Sequence, residues 1–231
     1  MLSRDGFASK SLVEDTAEGI VQLIIENEYN VGQKLPNEYE LSKQLGVSRN
    51  TVREAIRALV SINVVEIRRG AGTFISQKKG IADDPLGLTF VKDKEQMYLD
   101  LIQVRFILEP SIASLAAQNA TAEDIEKLGQ LCDEVEKLLL AGRDPVKKDI
   151  EFHTQIAQCS KNMVVPTLIP IINAAITVFT NIHENKVVSR TIEHHREIFE
   201  AIKAHHCNDA QDAMVLHLSY NRNKLRKNMK S

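Results

Sequence analysis

Gly46-Val47-Ser48-Arg49-Asn50-Thr51-Val52-Arg53-Glu54-Ala55 decides how this chain is read. Gly46 tolerates the left-handed backbone that closes a helix, and Ser48 offers an oxygen to the free N–H groups that open the next one. The helix so opened would bury Val52, Ala55, Ile56 and Leu59 on one face and turn Arg49, Asn50, Arg53 and Arg57 to others. A tight turn leading into a helix fronted by basic and amide side chains is how a protein offers hydrogen bonds to the major groove of DNA.

The flanks agree with that reading. Upstream, Val13, Ala17, Ile20, Val21, Ile24 and Ile25 recur at helical spacing between Ser11 and Glu28. Asn37 and Glu40 have the spacing of a capping box for a second helix that ends at Leu45. Downstream the period changes. Val64-Val65-Glu66-Ile67 and Thr73-Phe74-Ile75 read as two short strands around the turn Arg68-Arg69-Gly70-Ala71-Gly72. Three helices and a basic hairpin predict a winged helix-turn-helix over residues 1–77. Charge follows the same division. Residues 1–47 carry four Lys/Arg against eight Asp/Glu, and residues 48–79 carry seven against two. The reading helix and the wing are therefore cationic in a chain whose net charge is −2.

Residues 78–95 are polar and turn-rich and read as a linker. From 96 to 231 no strand pattern appears. Helices are expected at about 96–118, 121–141, 145–159, 163–183, 189–205 and 209–228, which predicts an all-α bundle. The chain as a whole is thus mainly α, with 231 residues and 43% hydrophobic side chains for two cores. Cys132, Cys159 and Cys207 form no CxxC pair, so reduced thiols and a cytoplasmic protein are expected. The first residues do not read as a leader, and no run approaches the ~20 apolar residues of a membrane span.

The bundle carries one constellation of chemical interest. Asp149 and His153 stand at i, i+4 and share a helix face, while His195 and His217 fall on two further helices. A carboxylate and three imidazoles form an O/N donor set suited to Zn, Ni, Mn or Fe. The competing reading is ordinary buried histidines, each satisfied by a hydrogen bond. His183, His194, His205 and His206 are expected to be solvated. A metal-dependent enzyme is a third reading, but the sequence holds no P-loop, GxSxG, HExxH or glycine-rich nucleotide turn.

Residues 35–76 resemble the GntR-type regulators, whose signature includes a Leu-Pro opening, Val-Ser-Arg, Val-Arg-Glu-Ala and Gly-x-Gly-Thr-Phe. Leu35, Pro36, Glu38, Leu41, Val47, Ser48, Arg49, Val52, Arg53, Glu54, Ala55, Leu59, Gly70, Gly72, Thr73 and Phe74 stand in matching places. The resemblance implies that Ser48, Arg49, Asn50, Thr51, Arg53, Arg69 and Gly70 contact double-stranded operator DNA. Tyr39 stands where the family usually has an arginine and Asn50 where threonine is common, which bears on the operator sequence read.

Asp149-x3-His153, His195-Arg196 with Ala201-Ile202, and His217 resemble the C-terminal FCD domain of FadR-type members of that family, as does Val104-Arg105-x3-Glu109. That resemblance implies a divalent metal, Zn foremost, on Asp149, His153, His195 and His217, with a small organic acid as effector. Arg105 becomes the candidate partner of the effector's carboxylate, against the alternative of a structural ion pair with a bundle glutamate. Glu109 and Asn162 match family positions without an assigned chemistry. The expectation is a homodimeric, metabolite-responsive transcription factor, a repressor released by its effector, and not an enzyme. Its rival is a DNA-binding dimer whose bundle holds no metal.

Overall fold

Side-chain caps decide where the helices begin. The structure, a computed structural model, describes residues 10–177 and 188–228. Ser11 and Glu14 form a reciprocal capping box at the start of α1 (Leu12–Glu26), and Asn37 and Glu40 form another at α2 (Glu38–Leu45). Gly46, at φ 68°, ends α2 in the left-handed region. Ser48 caps α3 (Arg49–Ser61), its side chain accepting from Thr51 N. Strands β1 (Val65–Arg68) and β2 (Gly72–Ile75) pair antiparallel, with Val65 opposite Ile75 and Arg68 opposite Gly72.

These elements share one core of Ile20, Leu35, Leu41, Val52, Ala55, Ile56, Leu59, Val65 and Ile75. All four expected inner positions of α3 lie in it. Ile25 does not: it is 63% exposed. Five residues beyond Ile20, it has rotated roughly 140° away from the buried face, and Thr16, one turn before Ile20, is buried instead. Thr16 keeps its hydroxyl satisfied by donating to Leu12 O at 2.6 Å.

The chain divides into two compact units after Leu88. The second contains α4 (Lys94–Asn119), α5 (Ala122–Leu140), α6 (Val146–Cys159), α7 (Val165–Thr177), α8 (Val188–Lys203) and α9 (Cys207–Asn228). Asp93 accepts from Gln96 N, so α4 starts two residues before the apolar pattern does. Thr121 and Asp124 cap α5 reciprocally. The sequence pattern extended α7 to residue 183; its part beyond Thr177, with His183, lies outside the described residues. Ile112, Ala113, Ala116, Leu128, Phe152, Ile156, Ile169, Ile198, Ile202, Met214 and Leu218 join all six helices around one apolar centre. Alanines along α4 let neighbouring helices approach it closely, which a tryptophan-free core of small aliphatic residues needs.

Candidate nucleic-acid interface and candidate metal centre

The start of α3 is ordered by its own side chains. Ser48 Oγ and Thr51 Oγ1 are 2.8 Å apart, and Thr51 N donates to Ser48 Oγ at 3.1 Å. Arg49 and Asn50 are exposed on the first turn. Arg53, one turn on, is not free. Its Nε donates to Glu38 Oε1 at 3.1 Å and its Nη2 to Glu38 Oε2 at 2.7 Å. That fork-on-fork pair ties α3 to α2 and holds the Glu38 carboxyl below the usual carboxylate range. Arg69 and Gly70 form the exposed tip of the hairpin, where Gly70 has φ 72° and Ala71 N donates to Arg68 O at 2.9 Å. Arg68 is engaged as well, with Glu66 at 2.7 Å and the Phe74 ring centroid at 4.2 Å. Arg49 and Arg69 therefore offer their guanidinium groups to a phosphate or base edge at once, whereas Arg53 must first leave Glu38. Tyr39 is half exposed under Lys43, whose Nζ lies 4.4 Å from the ring centroid.

In the helical unit, Asp149, His153, His195 and His217 come together from α6, α8 and α9. The three histidines are each at most 2% exposed. Each offers a ring nitrogen within 4.8 Å of those of the other two. Asp149 closes the group, with Oδ1 3.3 Å from His195 Nε2 and Oδ2 3.9 Å from His153 Nε2. Phe152 backs the set by stacking on His195 at 4.6 Å between ring centroids.

The electrostatics favour neutral imidazoles at His195 and His217. Burial pushes His195 down to about 4 and His217 well below its ordinary 6.5, against which Asp149 acts only partly at His195. Neutral imidazole is the ligating form. Both nitrogens of His195 and Nδ1 of His217 are buried without a hydrogen-bonding partner. Ordinary core histidines are satisfied, so the donor set fits a cation better than it fits a plain core.

Glu109, which had no assigned chemistry, and Arg105, the candidate for the effector's carboxylate, complete the surroundings. Glu109 on α4 is 2% exposed, accepts from Arg105 Nε at 2.6 Å and Nη2 at 3.1 Å, and sets Oε2 2.8 Å from His153 Nδ1. Burial works against ionisation of Glu109, but Arg105 and His153 outweigh it and hold the carboxyl at about 2. The Glu109 carboxylate thus lies behind His153 Nδ1, while Arg105 Nη2 and Asp149 Oδ2 lie 3.4 and 3.9 Å from Nε2. The Arg105–Glu109 spacing of four residues was the only signal in the sequence. Arg105 is 6% exposed and also lies 3.4 Å from His153 Nε2 through Nη2, so the ion pair with a bundle glutamate is formed at the very edge of the histidine cluster. His194, expected in solvent, is half-buried, with its ring 5.4 Å from that of Tyr220. It directly precedes His195 and shares part of that residue's burial. His205 Nδ1 donates to Ala117 O at 2.7 Å, and His206 pairs with Asp209 at 3.1 Å.

Comparison with known proteins places this arrangement. The family described as bacterial regulatory proteins, gntR family, matches residues 12–75, and the FCD domain matches residues 100–220. The Uxu operon regulator of Haemophilus influenzae is 31% identical over 90% of this chain and 76% of its own. The chain belongs to the GntR family. The HTH-type transcriptional regulator LutR of Bacillus subtilis is 30% identical over 85% of this chain and 93% of its own length. Among solved structures, Streptococcus agalactiae GntR superposes with a TM-score of 0.84 at 41% identity, covering 91% of this chain and 99% of that one. This GntR-family chain is accordingly a DNA-binding transcriptional regulator with an FCD domain, not an enzyme. Among its described residues, no helix is long and apolar enough to cross a membrane.

Proposed function

We propose that this regulator is a cytoplasmic, metabolite-responsive repressor that binds operator DNA as a homodimer and senses a small organic acid at a divalent metal held by Asp149, His153, His195 and His217. The observation that carries the reading is the meeting of three buried imidazoles and one carboxylate, with neither ring nitrogen of His195 engaged in a hydrogen bond. Zn, with Ni, Mn or Fe as alternatives, matches those donors. Such an ion supplies a positive centre for a carboxylate. His217 would join the set; its Nδ1 is buried without a hydrogen bond, and the Asn221 amide lies 3.0 Å from its Nε2.

Arg105 stands beside the same cluster, and its guanidinium has donors beyond those that Glu109 occupies, so it remains the side chain offered to the effector's carboxylate. On the DNA side, Ser48, Arg49, Asn50, Thr51, Arg53, Arg69 and Gly70 form the contact set, with the reading helix in the major groove. Dimerisation is supported by an apolar strip on α4: Val104, Ile107 and Leu115 are 37%, 66% and 40% exposed. The name of the Haemophilus influenzae relative supports an operon as target. Regulation requires that the acid bind the DNA-free state more tightly than the DNA-bound one.

The test combines composition with binding. Protein purified without added metal is analysed for elements, then titrated with organic acids while fluorescence anisotropy follows operator DNA. One bound ion per chain and acid-induced release of DNA are expected in the wild type. His195→Ala should lose the ion and the response yet keep DNA affinity. A wild type free of metal after metal challenge, or DNA affinity indifferent to every acid, refutes the sensor.

A further inference from the structure

On α7, Ile169, Ile172 and Asn173 share one buried face. Two are apolar and pack inward. The third is a primary amide, 3% exposed, whose Oδ1 and Nδ2 both lack a hydrogen-bonding partner. Among the described residues no other side-chain amide is left in that state. A buried donor and acceptor left unpaired are each expensive, and aliphatic residues at the same position would not incur that loss.

The hairpin of α6 and α7 sets the height of this amide in the bundle. Five residues, 160–164, separate the two helices, a connection short enough to make them antiparallel neighbours. Eight residues back from Cys159 is Glu151, and eight residues on from Val165 is Asn173. With a rise of ~1.5 Å per residue, the two lie at about the same height. Asn173 is therefore level with the helical turn that carries Asp149 and His153. One turn nearer the loop, Ile169 joins the apolar cluster of Phe152 and Ile156, and Phe152 stacks on His195. The unpaired amide is thus buried at the height of Asp149 and His153.

We infer that Asn173 hydrogen-bonds a hydroxyl group of the effector and so selects hydroxy-carboxylic acids over the corresponding acids without that hydroxyl. This rests on the organic-acid reading given under Proposed function. A carboxylate only accepts hydrogen bonds; it satisfies Nδ2 and leaves Oδ1 empty. An alcohol both donates and accepts, and one hydroxyl with its neighbouring oxygens satisfies both amide atoms. A buried group built to pair with a hydroxyl discriminates strongly against the analogue that lacks it, because the analogue leaves the group unpaired.

The experiment uses the full-length, metal-loaded protein and matched acids: lactate with propionate, malate with succinate, gluconate with hexanoate. Calorimetric titration of the wild type should favour the hydroxy member of at least one pair by tenfold or more, a factor of ~10 being the loss of one hydrogen bond. In Asn173→Leu that preference should fall below about twofold, with elemental analysis still giving wild-type metal content. The acid-free Asn173→Leu protein should melt no lower than the wild type, because an apolar side chain replaces an unsatisfied amide; Asn173→Ala serves the same binding test if the leucine does not fit. Retention of the hydroxy preference in these variants overturns the assignment while leaving the acid sensor intact. So does a lowered melting temperature in both acid-free variants, the mark of a structural amide. Wild type that binds none of the six acids defeats the assignment together with the sensor reading beneath it.

Discussion

Replacing Glu109 by Gln should destabilise the metal-free protein by ~3 kcal/mol. Glu109 and Arg105 are 2% and 6% exposed and meet through two hydrogen bonds of 2.6 and 3.1 Å. Glutamine keeps the shape but withdraws the charge, which leaves a guanidinium buried without its counter-ion; breaking a buried pair from one side costs about 3–5 kcal/mol. The carboxyl's own titration gives a similar size. Its fall from 4.5 to about 2 corresponds to ~3 kcal/mol at ~1.4 kcal/mol per tenfold change in proton affinity. Because the folded value is the lower one, this stability is fully present above pH 4.5 and is lost as the pH falls from there towards 2. Urea unfolding of chelator-treated protein, followed by circular dichroism at pH 7 and pH 4, reads both effects. Glu109→Gln should lose ~3 kcal/mol at pH 7, or about 6–12 °C in Tm for a chain of this length, and should be the less pH-sensitive protein between 4.5 and 3. The double variant Arg105→Met, Glu109→Leu removes both charges and should recover most of the loss, since an apolar pair of similar volume often matches or exceeds a buried ion pair. Equal stability of Glu109→Gln and wild type, or a double variant as unstable as the single, refutes the account.

Two other outcomes follow from the same coordinates. Glu38→Ala releases Arg53 from its fork and removes a negative charge from the reading face, so DNA affinity should rise, by about 2–5-fold at low salt, with a steeper salt dependence; anisotropy titrations at several salt concentrations that show weaker binding would contradict the competition between Glu38 and DNA. Stripping the ion with a chelator should lower Tm by roughly 8–16 °C when the metal had been present at about a thousand times its Kd, and His217→Ala should abolish that difference; calorimetric scans with and without chelator decide it.

The fold was readable where information is local. Ser11, Asn37, Ser48 and Thr121 announce helix starts by their own chemistry, and Val52, Ala55, Ile56 and Leu59 announce a buried face by their spacing. Ile25 misled because periodicity tolerates a residue at the margin of a stripe, and only the packing of the neighbouring elements settles whether that margin is covered. The grouping of Asp149, His153, His195 and His217 was legible from resemblance, since three separate helices bring those residues together and no spacing rule spans 149 to 217. What faces the group was less legible. Arg53 and Glu38 are fifteen residues apart, and nothing between them signals that α2 will present a carboxylate to the reading helix. Arg105 and Glu109 advertise a pair, but not that the pair will be buried and will turn one oxygen to His153.

Burial without pairing is the thread connecting these residues. A bundle built only to dimerise would fill the space between α6, α8 and α9 with aliphatic side chains, as it does around Leu128, Ile198 and Leu218. Instead the centre holds three buried imidazoles, two of them, His195 and His217, driven towards neutrality, with a carboxylate 3.3 Å from one and an ion pair at the edge, and α7 buries an amide with neither atom engaged. Unpartnered buried polar atoms cost ~1–3 kcal/mol each in a protein whose whole stability is ~5–15 kcal/mol. Several of them together are a poor solution to folding and a good solution to binding, because a ligand that satisfies them recovers what the empty protein forgoes. On the proposed sensor reading, the free energy recovered on binding is available only in the conformation that brings α6, α8 and α9 to the same point, so an acid bound there would favour that packing over any other, and would weaken DNA binding where the favoured packing is the one that binds DNA less well.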